Sequence, residues 1–225
     1  MRLTPRDIAL LRLLAFLMVI SRDQILKFGV FTSVTRLNTR LRQLIKLGLI
    51  RRLDTPFFTQ SLYILGPKAH EVLTGQEASL AKSRSVSPRF IQHALTVTDV
   101  RLALTGRSDG EWRYEQTLWR KLPGLATYEI RPDGLLIGKV PIFVEVDLGN
   151  VSLPKFRKKL VAYRALALSG SCQYLYGFSD FRLLVVTTGK LRSRNLSRQL
   201  PRDPGFELLV QTFDDLGVAP TPNWS

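Results

Sequence analysis

The chain has 225 residues and a hydrophobic fraction of 45%, enough for one large or two small folded domains, so an intrinsically disordered protein is excluded. Its 33 Lys and Arg residues against 18 Asp and Glu give a formal net charge of +15, which favours polyanionic partners, nucleic acid first. The single cysteine, Cys172, excludes an internal disulfide framework and is typical of a reducing compartment such as the cytoplasm.

The basic surplus is strongest near the N-terminus. Residues 1–75 hold 12 basic and 4 acidic side chains, and no acid falls between Asp23 and Asp54. Capping residues and apolar spacing predict helices that open at Thr4, Ser21 and Ser33, strands over 49–53 and 61–65, a turn at 54–56, and a closing helix from Gly66 to Leu73.

The third of these helices has two contrasting faces. Its apolar stripe consists of Val34, Leu37, Leu41, Leu44 and Ile45. Its other side carries candidate DNA-binding residues: Thr35, Arg36, Thr39, Arg40, Arg42, Gln43 and Lys46. Such a helix can enter the major groove while Arg51 and Arg52 of the following hairpin contact phosphates, so residues 1–75 are predicted to be a winged helix-turn-helix domain that binds double-stranded DNA. The alternative is a solvated polar face in a small helical domain.

The remainder is divided into a linker at 76–88, a second domain at 89–215 and a C-terminal tail at 216–225. In the second domain we predict a helix over 89–104, strands over 112–115, 128–131 and 140–148, a helix over 153–168, a strand over 181–187 and a basic helical segment after Gly189. The predicted class is therefore α+β, or mixed α/β, without a glycine-rich phosphate loop.

Acidic side chains lie within the most apolar of these strands, that over 140–148. Period-two alternation places Glu145 and Asp147 on one face, and Asp133 follows Pro132 upstream. If the three carboxylates converge, they require a cation, and oxygen ligands suit Mg²⁺ or Mn²⁺. The alternative is that the acids form structural ion pairs with basic side chains of the next helix: Lys155, Arg157, Lys158 or Lys159.

This arrangement of acids resembles the PD-(D/E)xK signature of restriction-endonuclease-like nucleases. The resemblance implies that Asp133, Glu145 and Asp147 bind the metal, with Glu115 as a weaker fourth acid. Asp147 stands where that signature has its lysine, so Lys159 of the following helix, or else Lys158, would assist the nucleophile. Without such a lysine the domain would be an inactive binding scaffold.

The whole chain resembles the replication-relaxation family of bacterial plasmids and integrative elements. The segments that carry this resemblance are LYILGPKAHEVL, HALTVTDVRLAL, RPDGLLI, FVEVDLGN, KKLVAYRAL and RLLVVTTGKLRSRNL. It implies DNA binding in plasmid replication or DNA relaxation, with a metal-dependent DNA endonuclease as the alternative function. A homodimer and other replication or transfer proteins are compatible partners. The sequence offers no long basic amphipathic helix for a membrane and no aromatic-rich RNA-binding motif.

Overall fold

The computed structural model describes residues 2–54, 58, 60–81 and 87–219, and for residues 125–127 it describes the backbone alone. The chain forms two compact units, of which one extends to Leu102 and the other begins at Ala103. Helices, antiparallel strands and parallel strands all occur, which confirms the mixed α+β class. Among the described residues, no helix is both long and apolar enough to span a lipid bilayer.

The first unit combines helices with a small antiparallel sheet. Its elements are α1 (Pro5–Leu17), β1 (Ile20–Ser21), α2 (Arg22–Lys27), α3 (Val34–Lys46), β2 (Ile50–Leu53), β3 (Leu62–Leu65), a 3-10 turn (Ala69–Glu71), α4 (Gly75–Leu80) and α5 (Pro88–Thr105). The strands are ordered β1-β3-β2, so β3 lies between its two antiparallel partners.

The helix starts predicted for this unit are confirmed, because side chains satisfy the first free amides of each helix. Thr4 and Asp7 form a capping box at α1, and Ser21 and Gln24 form another at α2. Ser33 caps α3 by accepting from the Arg36 amide.

The predicted helix from Gly66 to Leu73 is wrong, since only the 3-10 turn forms there. The amide of Gly66 bonds to the Leu49 carbonyl and that of Lys68 to the Gly48 carbonyl, so backbone pairing with the end of β2 competes with helix formation. The turn predicted at 54–56 includes residues 55 and 56, which lie outside the described residues. The predicted linker at 76–88 includes residues 82–86, which also lie outside the described residues, and its described part includes residues 76–80 of α4.

Helix α5 is formed as predicted, and its apolar face packs within the first unit. Ile91, Ala94 and Leu95 form a buried cluster with Val19 and Leu62. This packing is why the division between the compact units comes after Leu102, whereas the sequence pattern predicts a second domain from residue 89.

The second unit is built on a mixed sheet with helices on its core face. Its elements are β4 (Glu111–Tyr114), α6 (Glu115–Leu118), β5 (Arg120–Leu122), β6 (Leu125–Ile130), β7 (Gly134–Ile137), β8 (Ile142–Asp147), α7 (Leu153–Leu168), α8 (Ser171–Tyr176), β9 (Arg182–Thr187), α9 (Lys190–Ser197), β10 (Glu207–Thr212) and a 3-10 turn (Asp214–Leu216). The main sheet is ordered β10-β9-β8-β7-β4. β4, β7 and β8 are antiparallel neighbours, and β8, β9 and β10 are parallel neighbours.

One of the predicted strands is not part of the main sheet. The strand predicted at 128–131 belongs to a separate two-stranded hairpin of β5 and β6, and the antiparallel partner of β8 is β7. Pro132 ends the hairpin strand because it has no amide hydrogen, and the Asp133 amide then bonds to the Val144 carbonyl. The chain thus enters the main sheet directly after Asp133. The sequence did not predict α6, β5, β7, α8 or β10.

The core of this unit lies between β8, β9 and helix α7. Phe143, which is fully buried, contacts the rings of Tyr163, Tyr176, Phe178 and Phe181 at centroid distances of 5.5, 5.0, 5.9 and 5.1 Å. Aromatic pairs at this spacing stabilise a core beyond simple burial of area. The contact with Tyr163 holds α7 over the face of β8 that carries Phe143, and therefore over Glu145 as well.

Candidate functional site

A cleft of about 900 Å³ opens in the second unit between β6 and the first half of α7. Asp133 and Glu145 lie in it, and Lys155, Lys158 and Lys159 line its α7 side. A cavity of this size is at the upper end of the range that encloses small ligands. It brings together acids and bases that are up to 44 residues apart in the chain, from Glu115 to Lys159.

Glu145 is the buried acid of this cleft, with 5% of its surface exposed. Its Oε2 accepts from the Lys159 ammonium, and its Oε1 accepts from the Tyr163 hydroxyl at 2.9 Å. Burial raises the pKa of the Glu145 carboxyl, and repulsion by Asp133 adds to that rise, although attraction to Lys159 opposes it. Burying a carboxylate here costs free energy, which the ion pair with Lys159 and the hydrogen bond from Tyr163 offset.

Lys159 balances that charge from α7. Burial disfavours its ammonium form, but attraction to Glu145 and then to Asp133 outweighs this and raises the Lys159 pKa above its ordinary value. Its side chain is still 43% exposed, while its ammonium group is paired with Glu145. Lys159 therefore remains a cation that can meet a ligand in the cleft.

Asp133 is fixed by the backbone of β8. Its Oδ2 accepts from the Val146 amide at 2.7 Å, while its own amide donates to the Val144 carbonyl at 3.0 Å. The next residue has to be glycine, because a Cβ at Gly134 would lie 1.9 Å from Cζ2 of the Trp112 ring. Gly134 therefore allows β7 to begin in contact with the Trp112 ring, while the Asp133 carboxylate before it is directed towards β8.

Asp147 has different partners, although it shares a strand face with Glu145. Its Oδ2 accepts from Arg192 Nε at 2.8 Å and from the Thr187 hydroxyl at 2.7 Å, and its Oδ1 accepts from Arg192 Nη2 at 3.1 Å. Asp147 does not line the cleft. The buried charge is neutralised by α9 and β9 rather than by the lysines of α7.

Of the three carboxylates that the sequence suggested would converge, only Asp133 and Glu145 therefore lie in the cleft, together with Lys159. In the described part of the chain, no group of three or more His, Cys, Asp or Glu side chains is placed to hold a metal ion. The magnesium site stays a prediction from the sequence, at a carboxylate that Lys159 and Tyr163 already contact.

Glu115, the weaker fourth acid, lies in the same cleft at the start of α6. Its Oε1 accepts from Arg131 Nε at 2.7 Å. Arg131 is 65% exposed, so this pair lies at the rim and is worth little to stability. It adds a second ion pair to the cleft, besides that of Lys159 with Glu145.

The second candidate surface is the outer face of α3 in the first unit. Its inner face buries Leu37, Leu41 and Leu44 completely or nearly so. The predicted DNA contacts that are exposed are Thr35, Arg36, Thr39, Arg42, Lys46, Arg51 and Arg52. Because α3 contains no acidic residue, these side chains form a cationic face across the helix and the adjoining β2.

Arg40 and Gln43 of α3 are engaged inside the protein. Arg40 Nε donates to Asp7 Oδ1 at 2.6 Å, its Nη2 donates to Asp7 Oδ2, and its Nη1 donates to Gln43 Oε1 at 2.8 Å. Burial would raise the pKa of Asp7, but the hydrogen bonds from Arg40 and Thr4 outweigh it and hold the pKa below its ordinary value. This network ties α3 to the first turn of α1.

Three partners of the predicted acids were missed in the sequence: Tyr163, Thr187 and Arg192. One signal for Tyr163 was present, because it follows Lys159 by four residues on α7 and such residues share a helix face. Thr187 and Arg192 carried no comparable signal, since they meet Asp147 only through the parallel pairing of β8 with β9.

Comparison with known protein families gives a match. A family model described as replication-relaxation matches residues 11–180, which include α3 and the whole cleft. No curated protein and no solved structure matches the chain.

Proposed function

The chain belongs to the replication-relaxation family, and on that basis we propose that it binds double-stranded DNA in the replication, relaxation or regulation of a plasmid or another mobile element. The observation that carries this proposal is the acid-free cationic face of α3, with Arg36, Arg42 and Lys46 exposed. Lysine and arginine that neutralise phosphates supply most of the affinity for duplex DNA.

The first unit has the element order expected of a winged helix-turn-helix. Two helices, α1 and α2, precede α3, and the antiparallel hairpin of β2 and β3 follows it. In such domains the third helix lies in the major groove and the hairpin contacts the backbone. Arg51 and Arg52 on β2 are exposed and suited to the phosphate contacts.

The test is duplex binding by a triple variant, Arg36→Ala with Arg42→Ala and Lys46→Ala, measured by fluorescence anisotropy over a range of salt concentrations. Each lost phosphate contact lowers the slope of log affinity against log salt by about 0.9, so three lower it by about 2.7. Affinity at low salt falls at the same time, because fewer counterions are released.

The matched control removes the same number of charges from α9 and its C-terminal end: Lys190→Ala, Arg194→Ala and Arg198→Ala. All three side chains are exposed. If α3 is the helix that contacts duplex DNA, the control variant keeps the wild-type slope of log affinity against log salt. Equal losses in both variants would mean that duplex binding follows net charge alone and would overturn the assignment of α3.

The second unit supports a more specific proposal, that of a restriction-endonuclease-like domain. Three antiparallel neighbours, β4, β7 and β8, are followed by α7 and by β9 parallel to β8. We propose that this unit serves mainly as a DNA-contact or protein-contact platform. Asp147 stands where the nuclease signature has a lysine, and its carboxylate forms an internal ion pair with Arg192.

DNA cleavage is the second candidate function, and one observation favours it. Lys159 comes from the helix after β8 and contacts Glu145, with Asp133 in the same cleft, so an acid-acid-lysine set is present without Asp147. The test is nicking of supercoiled plasmid in the presence of Mg²⁺ or Mn²⁺. Activity that is lost in Asp133→Ala and Glu145→Ala, but kept in Asp180→Ala, supports cleavage here.

Isothermal titration calorimetry with Mn²⁺ provides an independent test of the same candidate. Wild-type protein that neither binds the ion nor nicks plasmid would leave the binding platform as the only function of the cleft. Nicking that persists in both variants would assign the activity to another part of the protein or to a contaminant.

A further inference from the structure

The α7 side of the cleft carries more basic side chains than form ion pairs with the acids beside it. Glu145 is paired with Lys159, and Glu115 is paired with Arg131. Lys155 and Lys158 also line the cleft, are exposed, and form no ion pair with any residue that the structure describes. Two cations are therefore available to an anionic ligand at the rim.

An aromatic side chain lies beside the opposite rim. Trp119 is 50% exposed, in contrast to Trp112, which is 8% exposed. The Trp119 indole Nε1 donates to Glu129 Oε2 at 3.1 Å, and Glu129 lines the cleft. The Lys121 ammonium lies 5.9 Å from the centroid of the Trp119 ring. The ring is thus held in place next to the cleft and near a cation while half of its surface stays in water.

Aromatic rings beside cations are the usual elements of sites for unpaired nucleic acid. Stacking on a side chain requires an exposed base face, which a base within a duplex does not offer. The cleft of about 900 Å³ has room for a short stretch of strand and not for a duplex. Carboxylates on its floor repel phosphates, so the strand's phosphates are expected at the rim, where Lys155 and Lys158 lie.

We propose that this cleft binds an unpaired stretch of DNA, with a base stacked on Trp119 and phosphates contacting Lys155 and Lys158. The inference rests on the proposed DNA-binding function and adds a second ligand class, separate from the duplex that α3 would bind. A protein that acts in replication or relaxation meets unpaired strands wherever the duplex opens, so both ligands are available to it.

The test measures the affinity of a labelled short oligothymidylate, which has no secondary structure, by fluorescence anisotropy. Trp119→Ala lowers the affinity by about tenfold or more, and Trp119→Phe, which keeps an aromatic ring, lowers it less. Tyr174→Ala is the matched control, since Tyr174 is 83% exposed and does not line the cleft. It leaves the affinity unchanged.

The phosphate contacts are tested separately. The double variant Lys155→Ala with Lys158→Ala lowers the slope of log affinity against log salt by about 1.4, because each contact with a single strand contributes about 0.7. Thermal unfolding of every variant checks that the fold is retained, which the exposure of the substituted side chains favours.

The α3 triple variant distinguishes this inference from the proposed function. It keeps its affinity for oligothymidylate while losing affinity for duplex if the two sites are separate. A folded Trp119→Ala protein that binds oligothymidylate as the wild type does would overturn the inference and leave duplex binding by α3 intact. Equal loss of both ligands in the α3 variant would likewise overturn it. Unchanged duplex binding in the α3 variant, with weaker oligothymidylate binding in Trp119→Ala, would reject the α3 proposal alone.

Discussion

The Asp7 carboxylate links α1 to α3 in the first unit through its ion pair with Arg40. Replacing Asp7 by asparagine tests how much this ion pair contributes to the free energy of unfolding. Asp7 is fully buried and accepts hydrogen bonds from Arg40 Nε at 2.6 Å, from the Thr4 amide at 2.6 Å and from the Thr4 hydroxyl at 2.6 Å. Arg40 is only 16% exposed, so Asp7→Asn leaves a largely buried guanidinium without its counterion.

Breaking a buried ion pair by removing one partner costs about 3–5 kcal/mol. Weakening of the capping box at Thr4 adds up to about 1 kcal/mol. Proteins are stable by only about 5–15 kcal/mol, so the variant loses a large share of the free energy of unfolding of this unit. At about 4–8 °C for each kcal/mol in a domain of this size, a loss of 3 kcal/mol lowers its Tm by roughly 12–24 °C.

The effect depends on pH with a defined sign. Because the pKa of Asp7 is lowered from an ordinary value of 3.8, the carboxylate contributes its full stability above that value. The contribution is lost as the pH falls through the lower pKa of the folded state. The unfolding free energies of wild type and Asp7→Asn are therefore well separated at pH 7 and approach one another below about pH 3.8.

Urea unfolding followed by circular dichroism at several pH values measures these differences. Asp23→Asn is the matched control, because Asp23 also lies in the first turn of a helix but its side chain is 54% exposed. It changes the unfolding free energy by less than about 1 kcal/mol. A double variant, Asp7→Asn with Arg40→Gln, recovers part of the loss since it leaves no unpaired buried charge. Purely additive losses, or a Tm of Asp7→Asn equal to that of wild type, would refute the reasoning.

Three further predictions concern the second unit. Gly134→Ala forces a Cβ against the Trp112 ring, at 1.9 Å in the present backbone, so the free energy of unfolding falls by about 1–3 kcal/mol and the Tm falls with it. Arg192→Ala leaves the buried Asp147 carboxylate without its ion pair and destabilises the unit by about 3 kcal/mol in urea unfolding. Burial raises the pKa of the Cys172 thiol to about 12, so at pH 8 the native protein reacts with a thiol reagent far more slowly than the urea-unfolded chain.

Each of these has a comparison within the same chain. Gly138→Ala adds a Cβ where no atom lies within 4 Å, and it leaves the Tm close to that of wild type. Arg194→Ala removes an exposed guanidinium from the same helix as Arg192 and changes stability by less than about 1 kcal/mol. Native Cys172 that reacted as fast as the unfolded thiol would contradict the burial on which the third prediction depends.

Local patterns in the chain predicted the framework of both surfaces correctly. Ser33 as a cap and the spacing of Leu37, Leu41 and Leu44 set the start and the buried face of α3, and so its cationic outer face. Such signals act over three or four residues, so they are legible without any tertiary contact. Period-two alternation in the same way put Glu145 and Asp147 on one face of β8.

Which charges meet depended on contacts that no local pattern encodes. Asp7 and Arg40 are 33 residues apart, and Asp147 and Arg192 are 45 residues apart, so each pair exists only after helices dock on one another or on the sheet. Docking of α7 assigned Lys159 to Glu145, while the parallel pairing of β8 with β9 brought α9 to Asp147. Periodicity specifies the direction of a side chain on its own element, whereas the neighbour that it contacts depends on how whole elements pack. For this reason Glu145 and Asp147, which share one face of β8, have different surroundings: Glu145 lies in an open cleft and Asp147 in a closed ion pair.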